Sequence, residues 1–310
     1  MILPFYTTGT HPPENASNNP FFFHEDRFVL RYGKDPDLYT LSLRKKGDLK
    51  ARMFVKLEGD EAISVKASSF GGFDMAGFAD EEDAGDMVEL LFNFLVEKKA
   101  TRCIINTFPQ CYDTYAHNLM EKALLDRGFR IAWTDLTHYM QPAGKMFDTI
   151  IDPDERTHLN FAAKHNWKFQ KLAATHLPAA FDLIRRSKQV KGYPITLTLA
   201  ELQQNFKLFP DNFLLFGIYD GEELRAASVC IRVNENILYD ISHGDIPEKR
   251  KHSSIVPLIQ GLYYYARENR YSLLDLGIST TKGEKNEGLF TFKNKLGTAL
   301  SDKKTFMWEF

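Results

Sequence analysis

The sequence YSLLDLGISTTKGEKNEGLFTFKNKLG spans Tyr271–Gly297 and contains a strand pattern, a polar loop and a helix pattern in succession. Ser272–Leu276 is an apolar run that is long enough for a buried strand and too short for a helix. Polar residues and glycines follow, which predicts a loop. Apolar residues then recur at helical spacing over Glu287–Leu296, and Gly297 is placed to end that helix. The strand would deliver Asp275 to its carboxyl end, where α/β proteins form crevices.

The composition indicates a folded globular protein with room for two domains. The chain has 310 residues, of which 44% are hydrophobic and 13% aromatic, so each half is large enough to bury its own core. The 39 basic and 41 acidic residues give a net charge of -2, which provides no overall field to attract nucleic acid. Cys103, Cys111 and Cys230 have neither metal-ligand spacing nor a disulfide framework.

The N-terminal sequence MILPFYTTGT has no basic segment followed by a long apolar one, so we expect no secretory signal. A run of about 20 apolar residues, which a membrane-spanning helix needs, does not occur in the sequence. We therefore expect a reduced, cytoplasmic protein with no membrane span and no metal site.

The order of predicted elements occurs twice. Helix, strand, helix, glycine and strand follow one another over Glu82–Tyr139 and again over Ser254–Trp308, each time after a series of strands. The two copies share the order of their elements but few identical residues. This repeat predicts an internal duplication, with an α/β fold built on a mixed sheet and with domains at residues 1–150 and 151–310.

Three local predictions concern the first half. Phe28–Arg31 has a strand pattern, and the glycine-containing Ser68–Gly77 is expected to be a flexible loop. Phe21–Phe23 would be costly to leave in water. We therefore expect these aromatic residues to pack across another surface, either as an ordered arm or as a lid over a cleft.

The segments Leu274–Gly277 and Gly288–Gly297, with sequences LDLG and GLFTFKNKLG, resemble the signature of the Fem-type aminoacyl transferases and related acetyltransferase-like proteins. Those families have a strand ending in Asp-Phe-Gly before a Gly-Leu-x-x-Phe-Lys-x-x-Phe-Gly helix. Leu276 and Leu296 stand here where the family has phenylalanine. The resemblance implies two tandem GNAT-like (N-acetyltransferase-like) domains.

The resemblance also implies N-acyl transfer from acyl-CoA, or a related activated donor, to an amine acceptor. The amine attacks the carbonyl directly, so neither a metal nor a catalytic triad is required. Lys293 matches the family lysine, which contacts donor phosphate or the reacting carbonyl. Asp275 would orient the amine or accept a proton, or it would only cap the following loop. Tyr239 is the third predicted catalytic residue, whereas Lys295 is expected to be a surface lysine.

In GNAT proteins the loop and helix start after the third strand of the meander bind the donor, because backbone N–H groups there hold its pyrophosphate, so the resemblance implies a donor-binding element at this place. By position it is His243–Ser254, in which Lys249, Arg250, Lys251, Ser253 and Ser254 are the predicted donor contacts. The glycines that acyl-CoA-dependent members carry in this loop are missing. A solvated run of positive charge is therefore an alternative interpretation.

The acceptor is expected to bind near two short helices, Leu177–Lys188 and Thr198–Leu208. In the GNAT fold such helices form one wall of the acceptor cleft, so Lys188, Lys191 and Tyr193 are predicted contacts. His243 is a further predicted substrate contact, because it lies close to Tyr239 at the end of a strand.

Two other functions fit the sequence. The first is aminoacyl transfer from aminoacyl-tRNA, with the basic residues of 249–251 and 282–304 against the nucleic acid. The second is a binding module that kept the fold without the chemistry. The first half has Asn106–Pro109 at its equivalent strand end and lacks a carboxylate there, so we expect it to be structural or acceptor-binding.

Overall fold

The computed structural model describes residues 5–8, 14–31, 33, 35–64 and 68–309. Within them the strands, in chain order, are β1 Phe5–Thr8, β2 Leu38–Lys45, β3 Asp48–Glu58, β4 Glu61–Ile63, β5 Asp74–Met75, β6 Arg102–Asn106, β7 Arg130–Met140, β8 Lys168–Leu172, β9 Phe213–Asp220, β10 Glu223–Arg232, β11 Ile237–Asp245, β12 Leu273–Ile278, β13 Thr280–Thr281, β14 Glu284–Lys285 and β15 Ala299–Glu309.

The helices of the same residues are α1 Asp26–Val29, α2 Glu81–Glu97, α3 Thr114–Asp126, α4 Phe147–Ile150, α5 Pro153–Lys164, α6 Leu177–Val190, α7 Leu199–Leu208, α8 Ile255–Glu268 and α9 Glu287–Lys295. No helix in the described ranges has both the length and the apolar character needed to cross a membrane.

The first of two compact units comprises the described residues up to Leu136, with Thr280–Glu284 and Ser301–Glu309. Its sheet begins β1-β2-β3-β4-β6-β15. Strands β4 and β6 are parallel, whereas β6 and β15 are antiparallel. Helix α2 buries an apolar face that includes Met87, Leu91 and Phe94, as its 3.6-residue periodicity predicts.

An aromatic cluster in this unit corrects two predictions. Phe28 belongs to a short helix instead of a strand, and its ring lies 4.6 Å from that of Phe22. Phe70 and Phe73 are buried, so most of Ser68–Gly77 is packed instead of being a flexible loop. The rings of Phe23 and Phe70 are 4.8 Å apart. The prediction that Phe21–Phe23 packs against another surface is confirmed, since all three residues are buried.

The second unit comprises Thr137–Ser279 and Lys285–Leu300. Its sheet contains the end of β7 followed by β12-β11-β10-β9-β8. Strands β11 and β12 are parallel, and the other neighbours are antiparallel. Helix α8 packs on this sheet with buried residues that include Ile255, Ile259 and Leu262. The division of roles predicted for residues 1–150 and 151–310 concerns function and stays a prediction.

The parallel strands of the second unit pair over a short distance. Their registered pairs are Ile237 with Leu273, Leu238 with Leu274 and Tyr239 with Asp275. Strand β11 continues to Asp245 and β12 to Ile278, so the two strands part immediately after Tyr239 and Asp275. Backbone groups that no longer pair across the gap are available to other partners, and this opening positions the candidate site.

Candidate active site

Lys293 lies on α9 and its side chain is buried, with 4% of the residue exposed. The helix is started by Asn286, whose side chain accepts from the backbone N–H of Leu289. The Nζ atom of Lys293 donates to the carbonyl oxygens of Gly277 and Ile278, at 2.9 Å each. Burial lowers the pKa of Lys293 to about 8, although the negative charges of Asp275 and Asp240 act to raise it. The helix thus delivers an ammonium group to the end of β12.

Asp275 is the last residue of β12 that pairs with β11, and only 2% of it is exposed. Its Oδ1 atom accepts from the backbone N–H of Gly277 at 2.6 Å. Gly277 has φ +77°, a conformation that costs glycine little. The carboxylate therefore supports the turn after the strand, and its charge also acts on Lys293.

Tyr239 faces the same turn from the neighbouring strand. A Cβ atom added to Gly277 would lie 3.5 Å from the Cε2 atom and 3.7 Å from the hydroxyl oxygen of Tyr239. Gly277 thus has Asp275, Lys293 and Tyr239 around it. The structure brings the three residues that were predicted to be catalytic to one place.

Sequence reasoning missed Asp240, which is buried beside this group. Its Oδ2 atom lies 2.6 Å from Nδ1 of His243, and its Oδ1 atom accepts from Ser228 Oγ at 2.7 Å. The strand rule of alternating faces would place residues 240 and 243 on opposite sides of the sheet, so no pattern in the sequence signalled the pair.

His138, on β7, was also missed. Its Nε2 atom is 2.7 Å from Ser279 Oγ, and its Nδ1 atom is 2.8 Å from Thr298 Oγ1. Burial, helped by the positive charge of Lys293, lowers the pKa of His138 to about 4. The imidazole is therefore neutral at pH 7 and serves as a hydrogen-bonded support behind Lys293.

The predicted donor loop is only partly a loop. Strand β11 runs through His243 to Asp245, and a 3₁₀ turn follows at Pro247–Lys249. Lys249 pairs with Glu223 at 2.6 Å, and Arg250 pairs with Asp245 at 3.1 Å. These two cations are therefore largely neutralised by carboxylates of the chain itself.

The remaining residues of the predicted donor loop differ in their surroundings. Lys251 is exposed. The N–H of Ser253 donates to His158 Nδ1 at 3.1 Å, and its Oγ accepts from Ile255 N at 3.3 Å. Ser254 is buried at the start of α8 and makes no side-chain cap hydrogen bond.

The predicted acceptor contacts follow helix α6. Lys191 is exposed, Tyr193 is half-buried, and the N–H of Tyr193 donates to the carbonyl of Lys188 at 3.0 Å. Burial lowers the pKa of Lys188, although the negative charge of Asp240 acts to raise it. Lys188 is thus electrostatically linked to Asp240. In the described part of the chain no hydrogen bond or ion pair joins Lys191 or Tyr193 to Asp275 or Lys293.

The exposed side of α9 borders a separate cavity of about 490 Å³. Its lining residues are Ile150, Ile151, Asp152, Glu287, Phe290, Thr291, Asn294 and Lys295. Lys295 also pairs with Asp154 at 3.5 Å and is 38% exposed in its side chain. Lys293 and Lys295 therefore lie on different sides of the helix, as helical geometry requires for residues two apart.

Comparison with solved structures relates the chain to FemX over almost the full length of both proteins. The TM-score is 0.69 at 11% identity, with 95% of this chain and 94% of that chain covered. The chain shares its fold with FemX. This likeness confirms the predicted mixed α/β fold class and, at the level of the fold, the predicted resemblance to the Fem-type proteins.

Two further solved structures extend the relationship beyond FemX. L-PGS from Bacillus licheniformis has a TM-score of 0.57 at 10% identity, covering 87% of this chain and 84% of that chain. The C-terminal domain of a protein assigned as a lysylphosphatidylglycerol synthetase, from Agrobacterium fabrum, has 0.54 at 13%, covering 83% and 81%. No profile of a known protein family and no curated protein sequence matches the chain.

Proposed function

We propose that this chain is an acyltransferase that joins an acyl or aminoacyl group to an amine acceptor. The observation that carries this proposal is the buried ammonium of Lys293 beside Asp275, at the point where β11 and β12 part. The fold shared with FemX supports the same class of reaction, although function depends on the site more than on the fold.

Lys293 would stabilise the oxygen of the reacting carbonyl. Two of its three N–H groups are held by Gly277 and Ile278, and no other described residue accepts the third. With a pKa of about 8, the amine is about nine-tenths protonated at pH 7. A fixed, desolvated N–H donor of this kind stabilises the negative charge that develops on the oxygen during acyl transfer.

Asp275 would orient the acceptor amine, and Tyr239 would border the reacting carbonyl. The hydrogen bond from Gly277 N–H fixes the Asp275 carboxylate, so little reorganisation is needed when the amine arrives. Lys191 and Tyr193 are proposed to contact the rest of the acceptor. The first half of the chain is proposed to be structural or acceptor-binding.

Acyl-CoA is the leading donor, with the loop around Lys249–Ser254 facing its phosphates. An aminoacyl ester of tRNA is the second candidate. The fold shared with FemX favours it. In the loop, the ion pairs of Lys249 with Glu223 and of Arg250 with Asp245 leave Lys251 as the exposed, unpaired cation of the described residues. The phosphates of either donor would have to compete with those carboxylates.

A donor screen tests the proposal. Acetyl-CoA, longer acyl-CoAs and aminoacyl-tRNA are offered to the purified chain, and stabilisation against heat is measured. A ligand present at 100 times its dissociation constant stabilises the folded state by about 2.7 kcal/mol. The donor that stabilises is then assayed for transfer to amino acids, aminosugars and short peptides.

Variants locate the site in the same assay. Lys293→Met and Asp275→Asn should lose turnover, whereas Lys295→Met on the exposed side of α9 should keep it. Turnover that survives both of the first two changes would exclude this site. A chain that binds a donor but transfers nothing to any amine would instead be a binding module.

A further inference from the structure

His243 and Asp240 form a hydrogen-bonded pair that the proposed roles of Lys293 and Asp275 do not use. We infer that His243 is the general base that takes the proton from the acceptor amine, and that Asp240 positions it. This inference rests on the proposed function and assigns its proton acceptor. The pair lies within the second unit, on strand β11.

A β-bulge creates the pair. Strand β10 pairs with β11 through Val229 with Ser242 and then Cys230 with Asp240, so Ile241 is an extra residue without a counterpart. Residues three apart on a regular strand face opposite sides. One inserted residue reverses the alternation, and Asp240 and His243 therefore reach the same side and meet at 2.6 Å.

The hydrogen bond fixes which nitrogen carries the proton. An ionised carboxylate only accepts, so Nδ1 of His243 is the donor to Asp240 Oδ2. Nε2 makes no hydrogen bond to any residue within the described ranges. The histidine side chain is 19% exposed, whereas that of Asp240 is fully buried. Nε2 is thus the atom available to an incoming amine, and Asp240 stabilises the imidazolium that forms.

Neighbouring contacts hold the pair rigidly. Ser228 donates to the second oxygen of Asp240 at 2.7 Å. Next to His243, a Cβ atom on Gly244 would lie 2.7 Å from the Cα atom of Ile184, so α6 packs directly on this part of β11. Asp245 is then held by Ser187 and Arg250, at 3.0 and 3.1 Å. A base on such a supported backbone needs little reorganisation to act.

The charges around the pair agree with this role. Asp240 acts electrostatically on both Lys293 and Lys188. The carboxylate is therefore shared between the histidine and the proposed carbonyl-binding lysine. Lys188, Lys293 and Asp275, together with Asp245 and its partner Arg250, are charged groups of the surrounding elements, and the pH dependence of the reaction includes their influence.

The reaction balances as follows. The acceptor enters as an ammonium ion, and Nε2 of His243 removes one proton, which later passes to solvent. The free amine nitrogen attacks the carbonyl carbon of the donor, so a C–N bond forms. The C–S bond of a thioester, or the C–O bond of an ester, breaks. The second proton lost by nitrogen goes to the departing sulfur or oxygen, leaving an amide and a thiol or alcohol.

Chemical rescue tests the inference with the donor and acceptor found in the screen. General-base catalysis contributes on the order of 100-fold, so His243→Ala should lower kcat by about that factor with little change in KM. Added imidazole should restore part of the rate, because it replaces the missing base. Asp240→Asn should lower kcat without responding to imidazole. His176→Ala, an exposed histidine on the same unit, is the matched control and should match wild type.

His243→Gln is the control for misfolding of the alanine variant, since glutamine retains a donor toward Asp240 but is not a base. It should melt as wild type does and be as slow as His243→Ala. If His243→Ala or His243→Gln turns over at the wild-type kcat while Lys293→Met is inactive, this inference is overturned and the proposed function stands. If wild type transfers nothing from any donor, the proposed function and the inference both fail.

Discussion

The Nζ atom of Lys293 lies 2.9 Å from the carbonyl oxygen of Gly277, sixteen residues earlier in the chain. Helix α9 is thereby connected to the end of β12, and residues 281–288 in the intervening segment and first turn of the helix are exposed. The same contact that would present an ammonium to a substrate also holds the helix against the carbonyl groups at the end of the strand. We therefore expect Lys293 to affect both stability and activity.

Removing this amine should be costly. Lys293→Met leaves one buried and one partly buried carbonyl oxygen without their donor and leaves Asp275 without the cation that its charge acts on. We expect the free energy of unfolding to fall by about 3 kcal/mol, as measured by urea denaturation. Lys295→Met breaks only an exposed pair with Asp154 and should cost less than about 1 kcal/mol. Equal losses in the two variants would contradict the structure.

The activity should have an alkaline limit set by Lys293. Burial lowers the pKa of this lysine from 10.5 to about 8, so the proposed N–H donor loses its charge as pH rises above that value. The rate should fall by up to about tenfold per pH unit there. Lys293→Arg keeps the charge, so its limit should move to higher pH, whereas Lys295→Arg should leave the profile unchanged. An identical alkaline limb in wild type and Lys293→Arg would exclude this role.

Acid should destabilise the second unit through His138. The pKa of His138 is about 4 in the folded protein and 6.5 ordinarily. Between these pH values the imidazole is protonated in the unfolded chain and neutral in the folded chain. Stability therefore decreases as pH falls from 6.5 to 4. His138→Gln should flatten this dependence in urea midpoints taken across the range, while His176→Gln should not. A slope unchanged by His138→Gln would show that other groups are responsible.

The end of α9 requires glycine at position 297. Gly297 has φ +74°, and a Cβ atom there would lie 2.3 Å from the carbonyl oxygen of Ile150. Gly297→Ala should therefore lower the free energy of unfolding by about 2 kcal/mol or more. A Cβ atom added to Gly288, in the same helix, would have only Asn286 Oδ1 within 4 Å, at 3.8 Å. Gly288→Ala should be neutral or stabilising by up to about 1 kcal/mol, and thermal unfolding of both variants checks the contrast.

Elements with strong local patterns were predictable from the sequence. The helix predicted to open the second repeat at Ser254 is observed at Ile255–Glu268, because its apolar residues recur at helical spacing. The strand predicted at Ser272–Leu276 is observed at Leu273–Ile278. Phe28–Arg31 was mistaken for a strand, since aromatic and branched residues favour strands, whereas Phe28 packs in a short helix against the rings of Phe22 and Phe23.

A site residue could be predicted only where the sequence immediately around it shows a recognisable pattern. Asp275 at a strand end and Lys293 beside an apolar helical residue were visible in the sequence. Asp240 and His138 were not, because a bulge sets the orientation of the first and strand pairing sets the surroundings of the second. Pairing between strands far apart in sequence leaves no local pattern. The same holds for Glu223, which lies 26 residues before the Lys249 that it pairs with.

Strand β15 hydrogen-bonds to β6 through the pairs from Thr305 with Asn106 to Glu309 with Arg102. During synthesis, residues 102–106 leave the ribosome about 200 residues before this partner exists. At about 5–20 residues per second, the unpaired edge would wait on the order of ten seconds or more. The half of the protein that is made first is therefore the half whose sheet is completed last.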